Sequence, residues 1–133
     1  MYETLKAAAL SCLRAAEQNR MSFPQILGLL SGAGFEGYTI DFRQGTACYV
    51  LPSGEHVSFA CPVRPVAPTL DVPGLQSAIR AAQAGGADYT YDGFCNRAAA
   101  AGCAAYVVSL TGRRVLYYGR TAEAHVEHFP AAA

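Results

Sequence analysis

Tryptophan is absent from this sequence, and charged residues make up only 15% of it. Ten basic residues balance ten acidic ones. No general electrostatic attraction to nucleic acid, anionic membranes or acidic substrates is therefore available, a local patch at Arg113, Arg114 and Arg120 aside. The cysteines, Cys12, Cys48, Cys61, Cys95 and Cys103, are odd in number and show no C-x-x-C spacing. That pattern argues against a disulfide framework or a zinc finger and for reduced thiols. No apolar run approaches the roughly twenty residues of a membrane span, and the N-terminus lacks the basic and apolar regions of a signal peptide. A cytoplasmic protein with no membrane partner is expected. No catalytic or cofactor motif of high specificity occurs, so no cofactor is expected.

What is present is a pattern that returns. Shifted by 68 residues without a gap, Ala33-Gly34 falls on Ala101-Gly102, Tyr38 on Tyr106, Tyr49 on Tyr117, Glu55 on Glu123 and Pro62 on Pro130. Ile40 and Phe42 fall on Val108 and Leu110, so the hydrophobic pattern repeats as well. This is the form an internal duplication takes. At 133 residues, the chain is the size of one domain burying roughly two thirds of its unfolded surface.

Residues 2–19 carry Tyr2, Leu5, Ala8, Ala9, Cys12, Leu13 and Ala16 at helical spacing, which predicts an amphipathic helix. Ser22 or Phe23 caps a second, with Pro24 early and Ile26, Leu27, Leu29 and Leu30 as its apolar face. From Tyr38 the period becomes two, and tight turns at Gln44-Gly45 and Pro52-Ser53-Gly54 join three strands into a meander. Prolines 62, 65, 68 and 73 make residues 61–73 a connector expected to lie over the surface. Asp71 caps a linking helix that Gly85-Gly86 ends. A helix to about Ala101 follows, then strands near 105–110, 114–118 and 124–129. The expected fold is α+β, one domain over 1–133. Within it, two tandem helix-plus-three-stranded-antiparallel-meander repeats, 23–62 and 91–130, share one core with an extra N-terminal helix and a linking helix.

Several motifs together resemble an uncharacterised bacterial and phage family often labelled "phage envelope protein". They are Phe23-Pro24, Gly34 with Tyr38, Gln83-x-Gly85-x-x-Asp88-Tyr89, Phe94-Cys95 with Ala101-Gly102, and Tyr117-Tyr118 leading to His128-Phe129-Pro130. The resemblance spans about residues 20 to 130. It implies no established activity, cofactor or catalytic residue, and no signal, membrane span or fibrous repeat supports a virion role. Many relatives carry threonine where this chain has Ala87, which leaves Asp88 or Thr90 to cap the helix.

Candidate chemistry is sparse. Cys95 is the one catalytic candidate, because a thiol near a helix N-terminus gains reactivity; the plainer reading is a buried small residue. His125-x-x-His128 with Glu123 and Glu127 has metal-ligand residue types, but strand residues three apart face opposite ways, and no metal site is expected. His56 joins them only if the two meanders meet there. Asp88 and Asp92 read most simply as helix caps.

Tyrosines 38, 49, 89, 91, 106, 117 and 118 serve either core packing or a ligand pocket. Tyr38, Tyr89, Tyr106 and Tyr117, with Asp88, are the pocket candidates. Two functions follow: an interaction protein, expected to be a homodimer through the edge strand at 124–129, or a small-molecule-binding module or minor enzyme using an aromatic pocket near Cys95. A closed, polar-lined cavity favours the second, and a filled core with a flat apolar patch favours the first.

Overall fold

The chain's computed structural model describes residues 2–129. The Tyr2 side chain, Pro130 and the alanines 131–133, expected to fray, lie outside the described residues. The fold is α+β: α1 (Tyr2–Glu17), α2 (Phe23–Gly32), β1 (Gly37–Asp41), β2 (Thr46–Val50), β3 (His56–Ala60), α3 (Val72–Ala84), α4 (Tyr91–Ala100), β4 (Cys103–Ser109), β5 (Arg114–Gly119) and β6 (Ala124–His128). The strands form one antiparallel sheet in the order β3-β2-β1-β4-β5-β6.

Helices α2, α3 and α4 each begin where a short polar side chain takes an orphan N–H. Ser22 accepts from the Gln25 N–H while the Gln25 side chain returns to the Ser22 N–H, a reciprocal capping box ahead of Pro24. Asp71 accepts from Gly74 N–H before α3. Thr90, not Asp88 or Asp92, caps α4 through Gly93 N–H; Asp92 sits in the first turn, where its carboxylate meets Arg64 at 2.9 Å. On α2 only Ile26 and Leu30 are buried, and Leu29, expected on the apolar face, is 54% exposed.

The period-two pattern places Tyr38, Ile40, Ala47, Tyr49, Val57, Tyr106, Val108, Val115 and Tyr117 on one sheet face, where all are buried. The helices cover that face, α1 packing on α2 and α3 on α4. The opposite face carries Cys48, Val50, Val107, Leu116 and Tyr118, half-buried, and Val126, exposed.

The proline-rich connector departs in part from expectation. It forms neither helix nor ladder, yet Arg64 and Leu70 are buried, and its N–H groups donate to the carbonyls of Phe42, Ala99 and Ala101. It is stitched to Phe42 and the end of α4 at these points, while Pro62, Val63, Pro65, Pro68 and Thr69 stay exposed at the surface as expected. Small side chains allow this close approach: Ala98, Ala99, Cys103 and Ala104 are buried, and Gly102, at φ +92°, has the Thr69 carbonyl where a Cβ would stand.

Candidate functional site

A cavity of about 680 Å³ lies between the helices and the covered face of the sheet. Every helix contributes to it: Cys12, Leu13 and Ala16 from α1, Phe23 and Ile26 from α2, Ile79 and Ala82 from α3, Tyr91 and Phe94 from α4. The sheet supplies Tyr38, Ile40, Tyr49, Tyr106, Val115 and Tyr117 as a floor. Exposed members of the lining mark the mouth, where Arg20, Phe23, Gln83, Tyr89 and His128 stand.

Cross-strand pairing builds that floor. Register sets Tyr49 opposite Tyr38, Tyr106 opposite Tyr117, and Tyr117 opposite His125. The rings follow: Tyr38 stacks on Tyr49 with centroids 5.0 Å apart, meets Tyr106 edge-on at 6.5 Å, and Tyr106 lies 5.7 Å from Tyr117. His125 ends the row 6.5 Å beyond Tyr117. Aromatic pairs directly opposite on one face stabilise a sheet and hold one another's rotamers.

The hydroxyls divide into two kinds. Those of Tyr91 and Tyr106 share a hydrogen bond of 2.8 Å. The hydroxyls of Tyr38, Tyr49 and Tyr117 make no hydrogen bond among the described residues, and no buried side-chain oxygen there lacks a partner. These three oxygens therefore open into the cavity. Burial pushes the phenols of Tyr38, Tyr91 and Tyr106 well above their ordinary value, and those of Tyr49 and Tyr117 also upward. At neutral pH each is an intact O–H, able to donate and to accept.

The other candidates lie elsewhere. Tyr89 is at the mouth, 37% exposed. Asp88 is exposed and outside the lining. Cys95 is 1% exposed on α4, beyond the cavity wall, beside Tyr91 and a small crevice with Arg64, Cys61 and Glu17. With Thr90 as cap it sits one turn into the helix. Burial pushes its thiol up to about 12, and Tyr91 and Arg64 pull it only partly back.

Among the described residues no three His, Cys, Asp or Glu side chains are placed to hold a metal ion. His56 is on β3 and His125 on β6, the two opposite edges of the sheet, because the meanders meet through β1 and β4. Glu127 binds Arg80 at 3.0 Å and His125 at 3.3 Å. Glu123 accepts from Thr121 at 2.7 Å and from Leu70 N–H at 3.4 Å. Both glutamates are thus engaged within the chain, Glu127 with charged Arg80 and Glu123 with neutral donors.

Sequence reasoning missed part of the lining: Met21 and Gln83 near the mouth and the buried Ile79 carry no chemical signature. Phe23 and Phe129 close one side, edge to face at 5.9 Å. Among the described residues no helix is long and apolar enough to cross a membrane.

A family model described as "Protein of unknown function (DUF1398)" matches residues 12–127. No curated protein matches the chain.

Proposed function

The chain belongs to that family of unknown function, and we propose that it is a small-molecule-binding module. The observation that carries this reading is the tyrosine-floored cavity of about 680 Å³, within the range of sites that enclose a drug-sized ligand. A domain of this size ordinarily fills its core to near-crystalline density. Here four tyrosines, an isoleucine and a valine of the sheet line open space between sheet and helices. We take cytoplasmic location and phage association from composition and resemblance alone, and no catalytic step is assigned to Cys95. The two-repeat, single-domain organisation is part of the same proposal. It is supported by α2 and α4 starting 68 residues apart, at Phe23 and Tyr91.

Nile red, a neutral dye that brightens in apolar surroundings, tests the reading. Saturable brightening is expected with the natural chain. It is lost in Ala82→Trp, which fills the cavity from α3 while far-UV circular dichroism stays the same. Absence of saturable binding, or binding indifferent to Ala82→Trp, contradicts the proposal.

A second reading, a self-associating interaction protein, is favoured by one observation. Edge strand β6 is open on one side, with Val126 41% exposed, and an open edge is a template for another strand. Sedimentation of the wild type and Val126→Pro, which lacks one ladder donor, separates a dimer through this edge from a monomer.

A further inference from the structure

The chemistry of the cavity floor restricts what the proposed module holds, and this step rests on that reading. The rings of Tyr38 and Tyr49 lie 29° from parallel, those of Tyr106 and Tyr117 38°. The Tyr38 and Tyr49 rings stack, so each covers a face of the other along the sheet, while Tyr106 and Tyr117 are tilted. The faces shared within the stacked pair are closed to a ligand, which leaves its ring edges and hydroxyl tips. An edge carries the positive side of the ring quadrupole, so the floor is a poor cage for an ammonium ion, which needs faces.

Nor is the floor built for an anion. No basic side chain belongs to the buried part of the lining; Arg20 and His128 stand at the mouth, exposed. Burying an uncompensated carboxylate there costs several kcal/mol. The same cost appears in the phenols themselves, whose ionisation burial opposes. The buried end of the ligand is therefore uncharged. It is not purely hydrocarbon either, because that would seal the Tyr38, Tyr49 and Tyr117 hydroxyls from water without a partner.

We propose that the cavity takes a neutral, largely apolar molecule whose buried end presents an oxygen acceptor, such as an aryl ketone, to one of the hydroxyls of Tyr38, Tyr49 and Tyr117. Its outer end reaches the mouth, where Arg20 and Gln83 tolerate polar groups. Tyr49 and Tyr117 stand on β2 and β5 with β1 and β4 between them, so a single acceptor meets one end of the row, and the O–H there donates to it.

Three probes of one shape separate the alternatives: benzophenone, diphenylmethane without its oxygen, and 4-benzoylbenzoate with an added charge. Displacement of Nile red gives their affinities for the wild type, Tyr38→Phe, Tyr49→Phe and Tyr117→Phe. Benzophenone is expected to bind roughly three- to tenfold more tightly than diphenylmethane, the worth of one net hydrogen bond. The ratio falls toward one in at least one Phe variant, and all variants keep the wild-type circular dichroism. Equal affinity for benzophenone and diphenylmethane overturns the acceptor assignment while leaving the binding module standing. Tightest binding of 4-benzoylbenzoate that persists in Arg20→Gln overturns neutrality, whereas an advantage lost in that variant places the carboxylate at the mouth and supports an uncharged buried end. No binding of any probe overturns both this inference and the proposed function.

Discussion

The hydroxyls of Tyr91 and Tyr106 meet at 2.8 Å, tying the first turn of α4 to strand β4, while Tyr38, next in the aromatic row, has no such partner. Tyr106→Phe removes one partner of a buried hydrogen bond and is expected to cost about 1 kcal/mol. Tyr38→Phe is expected to change stability by less than about 0.5 kcal/mol, because no protein bond is lost. Urea melts of the two variants check the difference; equal losses contradict the division of the hydroxyls.

Removing the whole ring is another matter. Tyr38 packs on Tyr49 and Tyr106, and Tyr106 packs on Tyr38, Phe42 and Tyr117. Tyr38→Ala and Tyr106→Ala are each expected to cost about 3 to 5 kcal/mol. Denaturant melts in which either tyrosine proves dispensable contradict both the floor and the repeat proposed from their equivalence.

Alkaline pH acts on the same core. The buried thiols of Cys95 and Cys103 are pushed from 9.0 up to about 12, and the phenols rise as well. A group whose folded-state pKa is raised holds its proton more tightly in the folded chain. Its contribution to stability is complete below the ordinary value and is lost as pH climbs toward the folded value. Unfolding free energy is therefore expected to be level to about pH 8. It then falls by about 1.4 kcal/mol per pH unit for each such group between about pH 9 and 12. Absorbance at a phenolate wavelength should rise steeply with unfolding. Gradual ionisation of all tyrosines near pH 10 in a chain that stays folded contradicts it.

Thiol reactivity separates a packed cysteine from a nucleophile. Cys12, Cys95 and Cys103 are buried, whereas Cys48 and Cys61 are half-buried. Iodoacetamide at neutral pH is expected to modify Cys48 and Cys61 first and to reach Cys95 only on unfolding, as peptide mass spectrometry will show. Fast, selective alkylation of native Cys95 contradicts this and restores it as a catalytic candidate.

The strands were the most legible part of the sequence, because alternation at Tyr38, Ile40 and Tyr106, Val108 reports directly which face is buried, and Gly45 marks its turn. The aromatic floor was legible as a set of tyrosines but not as a row, since their adjacency depends on β1 pairing with β4, which sets Ile40 opposite Tyr106 and Tyr38 opposite Val108 through tertiary structure alone.

 Of the mouth, Tyr89 was legible as a pocket candidate; Met21, Gln83 and Phe129 were not, because they come from three distant segments that only tertiary structure brings together. The anchoring of the connector was missed for a related reason: its prolines exclude a ladder, but nothing local says that Arg64 will be buried against Asp92 and Asn96. The cap of α4 was narrowed to Asp88, Thr90 or Asp92 and settled by packing, since the Asp92 carboxylate is taken by Arg64.

The most direct measurement of the central claim is nuclear magnetic resonance of the chain labelled in its tyrosine rings, titrated with benzophenone. Tyr117 and Tyr118 are neighbours on β5 with side chains on opposite faces of the sheet, so one strand carries both the probe and its control. The account predicts saturable shifts of one or more of the Tyr38, Tyr49 and Tyr117 rings while Tyr118 stays still. Shifts confined to Tyr118, or none at any tyrosine up to the solubility of the probe, would contradict it.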